Sequence, residues 1–222
     1  ILFQVLSNPS FMPLKLDVYY DFTCPWCYVG FLRCHEAIRR YGKPISVAEH
    51  VYMIDTNISE GGEEYLAYNV NRWGSDSWVK GLKKSAEKDG AHFSNWKFWP
   101  NSFHAHRLLM YARSIDFKNM EELNQRIFSA TYEEGENISS IDFLVQLADE
   151  LGLKGAKKML YSNDFKQEVL EEDDFAKTDL EIKGVPFFII NDKYYLEGAN
   201  PPAAFVSVFR MLDGENSNCA EN

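Results

Sequence analysis

The pattern of apolar and polar positions predicts a strand followed directly by a helix near the start of the chain. Leu16, Val18 and Tyr20 alternate with their neighbours, as in a short strand with one buried face. From Pro25 to about Tyr41 the apolar residues take helical spacing instead. Proline suits the first turn of a helix, because its missing N–H is one that this turn leaves unsatisfied in any case.

A second strand is predicted directly after this helix. Residues 42–44, Gly-Lys-Pro, form a break, and residues 45–48 form a short strand-like run. The order β-α-β calls for a right-handed crossover, which sets the two strands parallel. We therefore expect the chain to open with a parallel α/β unit.

The long middle of the chain has helical rather than strand periodicity. Apolar residues fall at helical spacing in residues 103–114, 120–130, 141–151 and 164–180. Ser140 precedes the third of these runs, where its hydroxyl can cap the first turn. We predict an insertion made only of helices.

The pattern returns to strands towards the C-terminal end. Residues 187–190 are a short apolar run, residues 191–192, Asn-Asp, form a two-residue turn, and residues 193–196 supply an antiparallel partner. A final helix then opens with Asn200 as its N-cap and Pro201 at its first position.

Together the two ends predict an α/β fold in which β-α-β and β-β-α units flank an all-helical insertion. We assign residues 14–60 and 178–213 to the α/β domain and residues 61–177 to the insertion domain. Residues 1–13 and 214–222 are expected to be flexible termini.

Composition narrows the classes of function. The chain has 222 residues, of which 45% are hydrophobic, enough for a substantial core. No run approaches about 18 consecutive apolar residues, so we predict no membrane partner. The net charge of −10 argues against a nucleic-acid partner, because phosphate binding depends on clustered Lys and Arg. The acidic run at residues 171–174 is typical of a solvated helix face.

Cysteine content and the first residues bear on the cellular compartment. Four cysteines in a chain of this length do not make a disulfide scaffold. Residues 1–13 lack the basic start and the long apolar stretch of a signal peptide. Because the chain does not begin with methionine, we interpret its first residues as foreign to the protein, with Met12 as its natural start. These features predict a reducing, cytoplasmic location.

Two thiols lie where the first predicted strand gives way to the first helix. Cys24, Pro25, Trp26 and Cys27 form a C-x-x-C pair. Cys24 occupies the positive end of the helix dipole, which favours its thiolate form, and Cys27 lies one turn further in. The arrangement predicts a reversible redox pair. Trp26 supplies bulk without a cation, so we expect a less oxidising couple than a histidine there would give.

Two other interpretations of the cysteine pair stay open. A zinc site needs two more ligands, and the sequence has no second C-x-x-C and no histidine pair at finger spacing. His104 and His106 are two apart on a predicted helix, so they point to different sides and cannot bind one ion together. A purely structural disulfide between Cys24 and Cys27 would constrain little of the unfolded chain.

Three further residues have candidate roles. Asp21 ends the first strand three residues before Cys24, where a carboxylate can relay a proton to or from Cys27 or, alternatively, cap the helix from the surface. Cys34 is expected to pack as a small apolar residue on the first helix. Cys219, in the polar tail, is expected to be an exposed thiol without a set role.

A proline precedes the third predicted strand, in the sequence Gly184-Val185-Pro186. Because proline removes a donor from the sheet, its place directly before a buried strand needs a reason. We predict a cis Val185–Pro186 bond in a tight turn. Such a turn would direct the backbone of Val185 outward, towards an extended client peptide near Cys24.

In combination these motifs resemble the DsbA-like thioredoxin-fold oxidoreductases. The resemblance rests on residues 24–27 after a strand, on the helical insertion, on residues 184–186, and on residues 198–201, Gly-Ala-Asn-Pro, before the last helix. Residues 101–108 are also similar to a segment of the insertion in the FrnE-like branch. The resemblance covers residues 14–213.

This resemblance implies a thioredoxin fold with a helical insertion and the activity of a thiol–disulfide oxidoreductase. Cys24 would be the attacking thiol, Cys27 the resolving thiol and Pro186 the cis-proline beside them. The substrates would be disulfide-containing protein clients or small-molecule disulfides, with no resident cofactor. The sequence leaves open whether the chain is a monomer or a homodimer.

A related group supplies the alternative function. Kappa-class glutathione transferases and 2-hydroxychromene-2-carboxylate isomerases are similar in layout, carry serine instead of a cysteine pair at the nucleophile position, and bind glutathione. The presence of both thiols disfavours their activity here, while glutathione stays a candidate co-substrate. A non-catalytic binding protein with a structural disulfide is the third interpretation.

Overall fold

The computed structural model describes residues 13–219 as a four-stranded sheet with helices around it. In chain order the elements are β1 (Leu14–Tyr20), α1 (Pro25–Tyr41), β2 (Ile45–Val51), β3 (Glu63–Glu64), α2 (Tyr65–Trp73), α3 (Val79–Ala86), β4 (Phe98–Trp99), α4 (Phe103–Ser114), α5 (Met120–Ser129), α6 (Ile141–Glu150), α7 (Ala156–Leu160), α8 (Lys166–Thr178), β5 (Phe187–Ile190), β6 (Tyr194–Glu197) and α9 (Pro202–Cys219). A π-helical turn, Ala130–Glu134, follows α5. Within this range no helix is long and apolar enough to cross a membrane.

The main sheet has the strand order β2-β1-β5-β6. β1 runs parallel to β2 and antiparallel to β5, and β5 pairs antiparallel with β6. α1 connects the two parallel strands and packs against α9. These are the predicted β-α-β and β-β-α units, so the thioredoxin fold with a helical insertion is confirmed.

β1 is covered on both faces, which fixes its C-terminal end in place. Leu16, Val18 and Tyr20 belong to the main apolar core, together with residues of α1 and α9. Tyr19, on the opposite face, packs in a smaller cluster with Ala176 of α8. Full burial of such side chains contributes about 1.5–3 kcal/mol each, so the strand that leads to the two thiols is firmly held.

The turn between β5 and β6 follows the sequence pattern closely. Asn191 and Asp192 both have positive φ angles, 51° and 54°, as the type I′ turn of a two-residue hairpin requires. The Asn191 side chain also accepts a hydrogen bond from the backbone N–H of Lys15 at 2.8 Å. The hairpin is thereby tied to the start of β1.

A partly buried polar cluster joins β2 to α4 and α8. His50 contacts Asp17 through Nε2 at 2.9 Å and Glu172 through Nδ1 at 2.8 Å. Burial favours the neutral form of Glu172, but hydrogen bonds from His50 and Arg113 hold its pKa below the usual value. Asp173 is buried as well. The prediction of a solvated helix face for this acidic run is therefore wrong at both positions.

The insertion contains one short ladder besides its helices, in which Glu63 pairs with Trp99 and Glu64 with Phe98. The sequence predicted helices alone here. Two-residue strands are too short to show alternating periodicity, so the signal that reveals longer strands is missing.

The final helix begins one residue later than predicted. α9 starts at Pro202, and the Asn200 side chain donates to the carbonyl oxygens of Glu197 and Gly198 instead of capping the helix. The residue before a proline is disfavoured in the helical region, which keeps Pro201 outside α9.

The same helix also ends later than predicted. Flexible chain was expected from residue 214, whereas α9 continues through Cys219. The single Gly214 costs a helix only about 1 kcal/mol, and no proline interrupts the segment. The Cys219 side chain and residues 1–12 and 220–222, which carry the remaining calls on the termini, lie outside what the structure describes.

Arg107 of α4 is fully buried and binds the end of α7 and the residues that follow it. Its guanidinium makes five hydrogen bonds. Four go to backbone carbonyl oxygens between Met159 and Asp164, and the fifth goes to Nδ1 of His104. Because every donor is used, only a planar group with five N–H bonds satisfies this site.

We expect Arg107→Lys to lower the free energy of unfolding by about 2–4 kcal/mol, because an ammonium has three donors and leaves buried carbonyl oxygens unpaired. Arg126→Lys is the control, since Arg126 forms an exposed ion pair with Glu150 and should change stability by less than about 0.5 kcal/mol. Urea denaturation measures both. Equal stability of the two variants would contradict the structural role of Arg107.

Candidate active site

Cys24 occupies the N-cap of α1, directly after β1. Its extended backbone (φ −88°, ψ 111°) and Pro25 in the first turn start the helix, and no side-chain capping bond engages the sulfur. The backbone N–H of Cys24 donates to the carbonyl oxygen of Asp21 at 3.1 Å, and the N–H of Cys27 donates to that of Cys24 at 2.9 Å. The turn therefore holds both cysteines at the positive end of α1.

The loop before β5 meets this turn. Cys24 Sγ lies 3.6 Å from the carbonyl oxygen of Val185, a residue 161 positions away, and the Val185–Pro186 bond is cis. Cys24 is 7% exposed, and the Trp26 residue between the cysteines is 37% exposed. The structure thus brings Cys24, Val185 and Pro186 together, with Cys24 and Pro186 buried and Trp26 exposed next to Cys24.

Cys27 lies behind Cys24 and is 1% exposed. Burial raises the pKa of the Cys27 thiol well above its usual value, and the neighbouring Cys24 adds to this effect. A backbone hydrogen bond from Asp21 acts in the opposite direction. Cys27 is therefore a protonated thiol at neutral pH and needs a base before it can act as a nucleophile.

Asp21, three residues before Cys24, is buried, with 1% of its surface exposed. Its carboxylate accepts hydrogen bonds from the N–H and hydroxyl of Thr23 and, at 2.7 Å, from the N–H of Ile54. Burial favours the neutral acid, but hydrogen bonds from His106, Ser102 and Ile54 hold the pKa of Asp21 below its usual value. The interpretation of Asp21 as a surface cap is wrong, whereas its role as a proton relay stays a prediction.

His106 of α4 is the site residue that sequence reasoning missed. It is fully buried, and its Nε2 lies 3.4 Å from Oδ1 of Asp21. The sequence pattern addresses His104 and His106 only as metal ligands. A usable signal existed, because positions 109 and 110, one turn further along α4, are apolar and place His106 on a buried helix face.

Aromatic side chains of the insertion cover the buried side of this site. The Tyr132 hydroxyl donates to the carbonyl oxygen of Phe22 at 3.2 Å, and its ring stacks on Tyr28 of α1. Trp96 packs edge-on against Tyr132. Trp73, by contrast, is largely exposed on α2. The buried rings exclude water from the face of the site that carries Cys27.

The other candidate residues lie apart from the cysteine pair. Cys34 is buried in the core, where burial raises the pKa of its thiol, so it packs as the small apolar residue expected. His104 accepts a hydrogen bond from Arg107 and faces away from His106, as predicted. Among residues 13–219, no group of three or more His, Cys, Asp or Glu side chains is placed to hold a metal ion.

A family model described as a DSBA-like thioredoxin domain matches residues 15–210, which is most of the chain. The chain belongs to this family. It is also 28% identical over 192 residues to the uncharacterized protein YwbO of Bacillus subtilis (strain 168), a match that covers 82% of this chain and 88% of that protein.

Solved structures share the fold of this DSBA-like chain. A probable DsbA oxidoreductase from Streptomyces coelicolor has a TM-score of 0.77 at 23% identity, with 91% of each chain covered. A 2-hydroxychromene-2-carboxylate isomerase has a TM-score of 0.61 at 18% identity, with 92% of this chain and 98% of that chain covered. Because one fold serves both proteins, the activity has to be argued from the site.

Gly30 lets α1 approach Pro186. A Cβ atom at position 30 would lie 2.6 Å from Cγ and 3.2 Å from Cβ of Pro186. The proline ring cannot rotate away as a flexible side chain would. The missing side chain at position 30 therefore sets how closely the loop before β5 lies against the helix that carries the cysteines.

We expect Gly30→Ala to lower the free energy of unfolding by about 1–3 kcal/mol through overpacking and to disturb the contact between Cys24 and Val185. Gly81→Ala in α3 is the matched control, because a Cβ atom there meets no atom within 4 Å and should stabilise the helix by up to about 1 kcal/mol. Thermal unfolding tests both variants. Equal effects of the two would show that Pro186 yields freely.

The raised pKa of Cys27 predicts a distinct alkylation profile. Burial, its largest cause, persists in Cys24→Ser, so the thiolate forms only as the pH rises beyond the usual thiol range. We expect the alkylation rate of Cys27 in this variant to keep increasing above pH 8.5, about where a free cysteine is half ionised. Iodoacetamide labelling followed by mass spectrometry measures the rate. A plateau below that pH would contradict the assignment.

Proposed function

We propose that this protein is a thiol–disulfide oxidoreductase with Cys24 as the attacking thiol and Cys27 as the resolving thiol. The observation that carries the proposal is the position of the Cys24 sulfur, 3.6 Å from the Val185 carbonyl oxygen and next to the exposed Trp26, with Cys27 more deeply buried one turn further along α1. The Cys24 thiol is placed to react with a substrate, and the Cys27 thiol is placed to react only with Cys24.

The reaction follows from this order of access. The Cys24 thiolate attacks a substrate disulfide, a mixed disulfide forms, and one substrate sulfur leaves as a thiolate. Cys27 then loses its proton and attacks Cys24, which releases the second substrate thiolate. The substrate gains two electrons and the Cys24–Cys27 pair becomes a disulfide. The reverse sequence of steps oxidises a dithiol substrate.

Asp21 is the base for the second step in this proposal. Its ionised carboxylate is buried beside Cys27, whose thiol needs to lose a proton in a site shielded from water. A carboxylate next to Cys27 can accept the proton without opening the site to solvent. The roles of Pro25 and Pro186 are to start α1 and to hold the loop of Val185 against it.

Substrates are protein disulfides or glutathione disulfides in this proposal, and the reducing cytoplasm is the proposed location. Trp26 offers an exposed apolar surface beside Cys24, suited to an extended client segment. The isomerase alternative gains a fold-level likeness only, at 18% identity. The cysteine pair supports disulfide exchange over it.

The test is to trap the mixed disulfide. Cys27→Ser should accumulate a mixed disulfide between Cys24 and insulin or glutathione, because the resolving thiol is gone. Cys24→Ser should form no adduct and should lose insulin reduction by about 1,000-fold or more, as loss of a nucleophile does. Cys34→Ala is the matched control and should keep wild-type activity, since Cys34 packs in the core as a small apolar residue.

Two results would count against this proposal. Insulin reduction that survives Cys24→Ser would show that another group carries the reaction and would contradict the proposal. Glutathione-dependent turnover of a small molecule that survives Cys27→Ser and exceeds disulfide exchange would favour the transferase or isomerase alternative.

A further inference from the structure

We propose that His106 is a positioning residue whose Nε2–H holds the Asp21 carboxylate ionised and oriented to take the proton of Cys27. This inference rests on the proposed function and deepens it. It assigns a role in the exchange reaction to α4 of the insertion, whereas Cys24, Cys27 and Asp21 all belong to the β1–α1 unit.

The geometry provides the contact. His106 Nε2 and Asp21 Oδ1 are 3.4 Å apart, and the two side chains are 0% and 1% exposed. The chain places them 85 positions apart, so the pairing arises only when α4 packs on the end of β1. Thr23, Ile54 and Ser102 also donate to the carboxylate.

The surroundings of the imidazole determine its form. Nδ1 of His106 is buried and has no hydrogen-bond partner among the described residues, and the rings of Phe22 and Tyr20 lie beside it. A second N–H at Nδ1 would be a buried, unsatisfied donor. The neutral tautomer with its proton on Nε2 therefore fits the site, and that proton points at Asp21.

Without this donor the balance at the carboxylate would shift towards the protonated acid. Burial favours the protonated acid, and the hydrogen bond from His106 is the largest of the interactions that oppose burial. A protonated Asp21 cannot accept a proton from Cys27. In the resolving step the proton moves from Cys27 Sγ to Asp21, the Cys27–Cys24 bond forms, and the bond from Cys24 to the substrate sulfur breaks.

Apart from His106, the titratable groups around Asp21 do not change protonation at acidic pH in an assay of the resolving step. Cys24 is covalently blocked in the mixed disulfide. The pKa values of Tyr52 and Tyr132 are raised, first of all by burial, and that of Cys27 is raised as well, so none of these three titrates at acidic pH. The acid limb of the pH–rate profile therefore reports the Asp21–His106 pair, and the variants of each residue separate the two contributions.

The experiment is a single-turnover assay on enzyme carrying glutathione on Cys24, with release of glutathione followed between pH 4 and 9. We expect His106→Leu to move the acid limb upward by about one to two pH units, the value of one lost hydrogen bond to a charged group. His106→Gln places an amide N–H near the position of Nε2 and should restore most of the wild-type profile. Asp21→Asn should be slow at every pH, and His106→Leu should add nothing to it.

His104→Asn is the matched control, two residues away on the same helix and facing away from Asp21; its amide oxygen can keep the hydrogen bond from Arg107, and it should leave the acid limb unchanged. An unmoved acid limb in folded His106→Leu overturns the inference, as does a His106→Gln variant that behaves like His106→Leu. Infrared titration of wild type against Asp21→Asn needs no His106 variant, and a protonated Asp21 at pH 7 would overturn the inference too. If neither glutathione nor insulin attaches to Cys24, the proposed function itself fails.

Discussion

A buried carboxylate has to be surrounded by hydrogen-bond donors, and Asp21 gathers its donors from three separate parts of the chain. Thr23 belongs to the turn before α1, Ile54 follows β2, and His106 lies on α4. The end of the sheet, the turn of the cysteines and the insertion are therefore fixed relative to one another at one point. The buried charge therefore has its full set of donors only where these parts of the chain pack together.

Local signals explain the part of the fold that the sequence predicts well. α1 runs from Pro25 to Tyr41 as expected, because a proline opens it and Gly42, with a positive φ of 74°, closes it. The Asn191–Asp192 turn is equally local. In each case the residues that decide the structure are neighbours in the chain, so periodicity and turn chemistry are sufficient to find them.

Long-range pairing explains what the sequence does not reveal. An acidic run such as residues 171–174 gives no sign that Glu172 will meet His50 and Arg113, since the partners lie far along the chain. The same holds for His106, whose partner is Asp21. Of the candidate site, the two cysteines and Pro186 can be found from motifs, whereas the residue that accompanies Asp21 needs the folded chain.

The close approach of α1 to the loop before β5 has a consequence for how such chains can vary. Position 30 has no space for any side chain while a proline ring occupies position 186. A larger residue at either place requires a compensating change at the other. Among proteins that share this turn, the two positions should therefore covary or stay fixed together, which makes them a coupled pair in evolution even though only one of them adjoins the sulfur.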